Sequence, residues 1–173
     1  MRPLLESLVA CADAGNWYAA LCVALTLPDI CARIELPNEV SSHRRYADWF
    51  DTYIRRSYTR AVGPQCHERT FLTGNDCYAL RCAFLHEGSD DITRQKAREV
   101  VERFHFVVPP PGWEIHSNMV GAKLQLQVDI FCRDIERGVR KWLESALADE
   151  RKSREIETGL AIQFPNPGGG MRI

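Results

Sequence analysis

The chain has 173 residues, 45% of them apolar and 26% charged, with a formal net charge of −1. Those proportions fit one ordinary globular domain and give no global attraction to nucleic acid, so any RNA contact has to come from local basic patches. No apolar run reaches the ~18 residues of a membrane span, and Met1-Arg-Pro-Leu-Leu-Glu6 lacks the apolar core of a secretory leader, so a cytoplasmic location is expected. Seven cysteines, an odd number scattered through apolar stretches, point to reduced thiols.

The amino-terminal third reads as helix. Leu4, Leu5, Leu8 and Val9 form one apolar stripe, and after a break at Gly15 a second stripe runs through Trp17, Ala20, Leu21, Ala24 and Leu25. Pro28 and Pro37 bracket a turn-rich piece from Asp29 to Leu36. A third helix starts at Ser41 or Ser42 and places Tyr46, Trp49, Phe50, Tyr53 and Ile54 on a core-facing stripe. Arg44, Arg45, Arg55 and Arg56 fall on neighbouring azimuths if that helix continues, because eleven residues return nearly to the starting direction. They form a basic ridge suited to RNA. Residues 60–72 read as a loop, and the adjacent Cys66 and His67 in it lack the partner spacing of a zinc site.

The next helix carries the chemistry. It opens on Thr73-Gly-Asn-Asp76, which supplies a cap, and closes on His86-Glu-Gly88, with Arg81 and His86 five positions apart. An α-helix advances roughly 100° and 1.5 Å per residue, which sets these two side chains roughly 140° apart in azimuth and roughly 7.5 Å apart along the axis. Bringing both onto one phosphate requires either a loosened last turn at His86 or a second copy of the motif from another subunit. An imidazole serves as a general acid or base near neutrality, and a guanidinium presents a planar fork of donors to an oxyanion. The purely structural alternative pairs Arg81 with Asp76 or Glu87 and leaves His86 as a helix cap. Cys82 and His86, one turn apart, share a face that a metal would need, but no further ligands are apparent and no metal or other cofactor is expected.

After Gly88, Ser89-Asp-Asp-Ile-Thr93 suggests a cap for a short helix bearing Arg94, Lys96 and Arg98. Phe104 to Val108, Trp113 to His116 and Lys123 to Gln127 have strand composition, and together suggest a small antiparallel sheet inserted near 103–127. The closing helix is the clearest element, with Val128, Phe131, Cys132, Ile135, Val139, Trp142, Leu143 and Ala146 on one apolar face. Residues 1–148 therefore read as one mainly α domain with a β insertion. Residues 149–173 read as a charged, Pro- and Gly-rich flexible tail.

The segment from Thr73 to Gly88 resembles the R-x4-6-H signature of the HEPN superfamily of helical RNases and RNA-binding domains. The helix order is compatible with a HEPN-like bundle elaborated by a β-hairpin or small sheet. The resemblance implies a metal-independent endoribonuclease acting as a homodimer, in which the ribose 2′-hydroxyl attacks the adjacent phosphate. His86 would act as acid or base and Arg81 would stabilise the phosphorane, with Asp76 either orienting Arg81 or serving only as a helix-start carboxylate. Family members serve as toxins or in antiviral defence, which adds an antitoxin or defence-system protein to the implied partners. One position departs from the pattern: a polar residue such as Asn or Asp usually follows the arginine, and here it is Cys82, whose thiol is a poor donor. That departure keeps open a catalytically silent domain that binds RNA, nucleotide or protein, or a scaffold in which Arg81 and His86 only close a dimer interface.

Overall fold

The computed structural model describes residues 1–159 and 162, and these are mainly helical. Helix α1 (Arg2–Asp13) and helix α2 (Trp17–Glu35) are joined by a tight turn in which Gly15 takes φ +69°. Helix α3 (Ser42–Tyr53) starts where the Ser41 hydroxyl accepts the Arg44 N–H. A hairpin of β1 (Thr59–Val62) and β2 (His67–Thr70) leads to helix α4 (Gly74–Cys82). A three-stranded sheet of β3 (Arg103–Val107), β4 (Asn118–Val120) and β5 (Lys123–Gln127) precedes helix α5 (Val128–Ala146). Helix α6 (Glu150–Glu157) follows.

Helix α2 lies at the centre and packs against α1, α3 and α5. Leu25, Leu27, Cys31 and Ala32 are wholly buried there. Helix α5 closes the core with Phe131, Ile135, Val139 and Trp142, also wholly buried. The Trp142 indole N–H donates to Glu35 Oε2 at 2.8 Å and its ring meets Trp49 edge-on at 6.4 Å. The polar tip of a buried tryptophan is thus satisfied at the helix end, while its rings fill the core.

Helix α2 runs straight through Pro28, so Asp29 to Glu35 is helix and not a turn-rich piece. Proline lacks the N–H that would reach the preceding turn, but the dense burial on both sides of Pro28 outweighs that loss. Uninterrupted, Trp17–Glu35 has the length and apolarity of a membrane span, with mean hydropathy 1.4. Its apolar face is spent on the packing with α1, α3 and α5.

Residues 59–70 form a hairpin instead of a loop, closed by Gly63 and Cys66, both at positive φ. Residues 93–101 make no helix; they run through tight turns, and the amides of Glu99, Val100 and Val101 are taken by the Asp76 carboxylate. In the sheet, the order is β3-β5-β4 with β3 parallel to β5 and β4 antiparallel to it. The second strand is 118–120; Trp113 to His116 stays outside the ladder and Trp113 is 69% exposed.

Residues 150–157 are a docked helix, not solvated tail. Ile156 is buried, Lys152 Nζ reaches both Glu35 carboxylate oxygens at 2.8 Å, and Arg151 donates to the Ile34 carbonyl at 2.9 Å. The Pro165–Gly170 stretch expected to be flexible lies outside the described residues. All seven cysteines are free thiols.

Candidate functional site

Helix α4 is fixed at its start by two close approaches. The Thr73 hydroxyl accepts the Asp76 N–H, and Asp51 Oδ1 on α3 accepts the Gly74 N–H at 2.8 Å. A β-carbon on Gly74 would meet the Ala47 carbonyl oxygen and stand 2.7 Å from the Ala47 Cα, so only glycine lets α4 lie this near α3. Behind the helix, the Tyr46 hydroxyl lies 3.4 Å from both the Leu25 carbonyl and Cys77 Sγ. Burial pushes the Cys77 thiol up to about 12, which keeps it protonated and inert.

Asp76 is fully buried and does not touch Arg81. Its carboxylate accepts the Glu99 N–H at 2.7 Å, the Val100 N–H at 3.1 Å, the Val101 N–H at 3.3 Å and the Thr73 hydroxyl at 3.0 Å. It clamps the 99–101 backbone onto the start of α4. The expectation that Asp76 orients Arg81 is therefore corrected, and so is the Glu87 alternative, since Glu87 pairs with Gln95.

The orienting carboxylate is Asp29. Arg81 Nη2 donates to Asp29 Oδ2 at 2.8 Å, and both side chains are largely shielded from solvent. Burial opposes the charge on Arg81, but Asp29, together with Cys82 and Tyr78, more than offsets it and raises the guanidinium pKa above its ordinary value. Asp29 lies past Pro28, where proline punctuation predicts the end of the helix, so its place beside Arg81 is hidden in the sequence. An acid set in the middle of an apolar helix was the available signal.

After Cys82 the helix widens into a π turn, Ala83–Glu87, and stops at Gly88 in the left-handed conformation. The extra residue in that turn swings His86 toward Arg81, and Arg81 Nη1 lies 3.2 Å from His86 Nε2. A guanidinium only donates, so this contact is a hydrogen bond for the imidazole tautomer whose proton sits on Nδ1. His86 is exposed while Arg81 is half-buried. One chain thus brings the two motif side chains together through the loosened turn, without a second copy. Cys82 Sγ sits 4.0 Å from Arg81 Nη1 and adds a soft contact to the same group.

A polar cluster that no sequence pattern announces joins the start of α3 to the start of α4. His43 Nε2 meets Asn75 Oδ1 at 2.6 Å, Asn75 Nδ2 donates to Glu99 at 2.6 Å, and Ser42 Oγ lies 3.3 Å from the Tyr78 hydroxyl. The His43 and Tyr78 rings are 4.9 Å apart.

The basic ridge does not form as one helical face. Helix α3 ends at Tyr53, and Arg55 and Arg56 lie on a separate 3-10 turn, Arg55–Tyr58, so the eleven-residue azimuth argument does not hold for them. Each of the four is also engaged: Arg44 with Glu39, Arg45 with the Glu39 carbonyl, Arg55 with Asp51 and Arg56 with Glu68.

Comparison with family models, with curated proteins and with solved structures finds no match to this chain.

Proposed function

We propose that the chain is a metal-independent endoribonuclease of HEPN-like type, in which Arg81 and His86 act on one phosphate. The observation that carries this reading is the 3.2 Å contact between Arg81 Nη1 and His86 Nε2, with Arg81 anchored by Asp29. A fixed guanidinium beside an exposed imidazole is the pair that in-line attack by a 2′-hydroxyl requires. Once the phosphate takes over the Arg81 Nη1 donor, the released His86 Nε2 takes the hydroxyl proton or, protonated, gives one to the leaving 5′-oxygen, and Arg81 neutralises the extra charge on the phosphorane. The bond from the 2′-oxygen to phosphorus forms as the bond to the 5′-oxygen breaks, leaving a cyclic phosphate and a free 5′-hydroxyl. In a homodimer, a second His86 supplies the opposite proton-transfer role. A cytoplasmic toxin or antiviral effector, held in check by a partner protein, is the biological setting this chemistry suits.

The test is incubation of the purified chain with single-stranded RNA in excess EDTA, followed by analysis of the product ends. Cyclic phosphate and 5′-hydroxyl ends are expected.

One observation favours a second reading, a silent domain that binds RNA, nucleotide or protein. Arg81 already spends one donor on Asp29 and one on His86, which suits a structural tie as well as a phosphate clamp. Binding of RNA without cleavage would select this reading.

A further inference from the structure

Beyond the π turn, a groove of about 560 Å³ opens between the start of α2, residues 84–90 and strand β3. Its volume is that of a small-molecule site rather than a surface dimple. Aromatic side chains dominate its walls: Trp17 and Tyr18 from α2, Phe84 from the π turn and Phe106 from β3. Tyr18 is 79% exposed, which leaves its ring face open at the mouth. Ser89 and Asp90 stand at one end, and no lysine or arginine lines the groove.

Asp90 is the group that gives the groove a chemical preference. Its backbone carbonyl accepts the Phe104 N–H, whereas the neighbouring arginine, Arg103, is taken by Asp91. The Asp90 carboxylate is left without a hydrogen-bond or ion-pair partner among the described residues. A carboxylate accepts two parallel hydrogen bonds from adjacent donors. Among the neutral bases only guanine presents two adjacent donors, N1–H and the N2 amino group, on its pairing edge. Adenine and cytosine set an acceptor beside their single amino group, and uracil sets its one N–H between two carbonyls. Aromatic walls hold an unstacked base of any kind, and the edge contact then decides which one.

We propose that this groove takes a guanine base of single-stranded RNA, stacked on Tyr18 or Trp17 with its N1–H and N2 amino edge on Asp90. Asp29, which anchors Arg81, lies eleven residues further along α2 than Tyr18, a rise of roughly 16 Å, so the base belongs to a nucleotide within a few positions of the phosphate held at Arg81. The absence of lysine and arginine from the groove, where His105 is engaged with Gln125, fits this division of labour, with the base here and the charge there. The placement rests on the ribonuclease reading, and the base preference rests on the groove alone.

The experiment separates the two. The full chain is titrated with 5′-GMP, 5′-AMP, 5′-CMP and 5′-UMP, following the backbone amide shifts of Gly88, Ser89 and Asp90, on wild type and on Arg81→Ala. GMP is expected to bind at least ten-fold more tightly than the other three, in both proteins. Asp90→Asn, an exposed substitution, is expected to abolish that preference, and Tyr18→Ala to weaken all four nucleotides several-fold. Equal affinity for the four, a preference that survives Asp90→Asn, or no shift at these amides up to millimolar nucleotide would overturn the assignment. GMP preference in a chain that cuts no RNA would leave it standing and remove the catalytic reading. RNA cleavage with no preference for sites within a few nucleotides of a guanine would do the reverse.

Discussion

Arg81 and Asp29 stand fifty-two positions apart in the chain and meet with Nη2 2.8 Å from Oδ2. The pair ties helix α4 to helix α2 and fixes the plane of the guanidinium whose other arm faces His86. Asp29 touches Arg81 and not the imidazole, so its role is positioning. Asp29→Asn keeps the shape but removes the charge, and is expected to lower RNA cleavage by about 10- to 100-fold, the scale of a small misplacement of a clamp. It should also destabilise the fold by about 1–3 kcal/mol, because a half-buried guanidinium loses its partner. Parallel cleavage assays and urea titrations check both effects.

Asp76 carries a separate expectation. Asp76→Ala leaves the amides of Glu99, Val100 and Val101 without their acceptor. At about 1 kcal/mol for each stranded donor, a loss near 3 kcal/mol is expected. Amide hydrogen exchange should show loss of protection centred on these three residues, ahead of the rest of the chain. Protection there equal to that of the wild type would mean that the clamp is not what orders the segment.

Trp142→Ala removes the largest buried side chain of α5 together with its hydrogen bond to Glu35. A loss of about 3–5 kcal/mol is expected, the range for truncating a fully buried aromatic residue. Chemical denaturation gives the value directly, and an unchanged midpoint would show that α5 does not close the core.

The buried His116 predicts how stability follows pH. Burial holds its pKa below the ordinary value, and the attraction of Asp134, Nε2 to Oδ2 3.7 Å, only partly opposes this. Its Nδ1 accepts the Gln127 N–H at 3.2 Å, a role open only to the unprotonated nitrogen. A lowered folded pKa means that the unfolded chain binds the proton first. Stability is therefore full above the ordinary histidine value of about 6.5 and falls as pH drops below it toward the folded value. Denaturation midpoints measured from pH 7.5 down to pH 5 should decline, and His116→Gln should flatten that part of the curve.

The helical part of the fold was legible because apolar spacing tracks burial: the core takes up the whole stripe on α5 and all but Tyr53 of that on α3, while on α1 only Leu5 and Leu8 are buried and Leu4 stays exposed. Proline and glycine punctuation misled where packing overrode it, as at Pro28, and short strands such as 59–62 and 67–70 carry too few buried residues to announce themselves. The site was half legible. Arg81, His86 and the loosening before Gly88 follow from spacing and a cap residue, both local properties. Asp29 and the His43–Asn75–Glu99 cluster depend on which helices lie side by side, and no periodicity within one segment encodes that. For the same reason, four arginines that look like one ridge in sequence were each found beside an acid or a carbonyl.

The most direct measurement is the single-turnover rate of single-stranded RNA cleavage in excess EDTA, for wild type, His86→Ala and Arg81→Ala, with a 2′-deoxy substitution at the scissile nucleotide as control. The wild type is expected to cut, and the 2′-deoxy substrate to resist because its nucleophile is gone. Each alanine variant should lose at least ~100-fold in rate while melting as a folded protein, the scale of removing a general acid-base or an oxyanion donor. Cleavage that persists in both variants, cleavage of the 2′-deoxy site, or activity only with a divalent ion would contradict the assignment of Arg81 and His86.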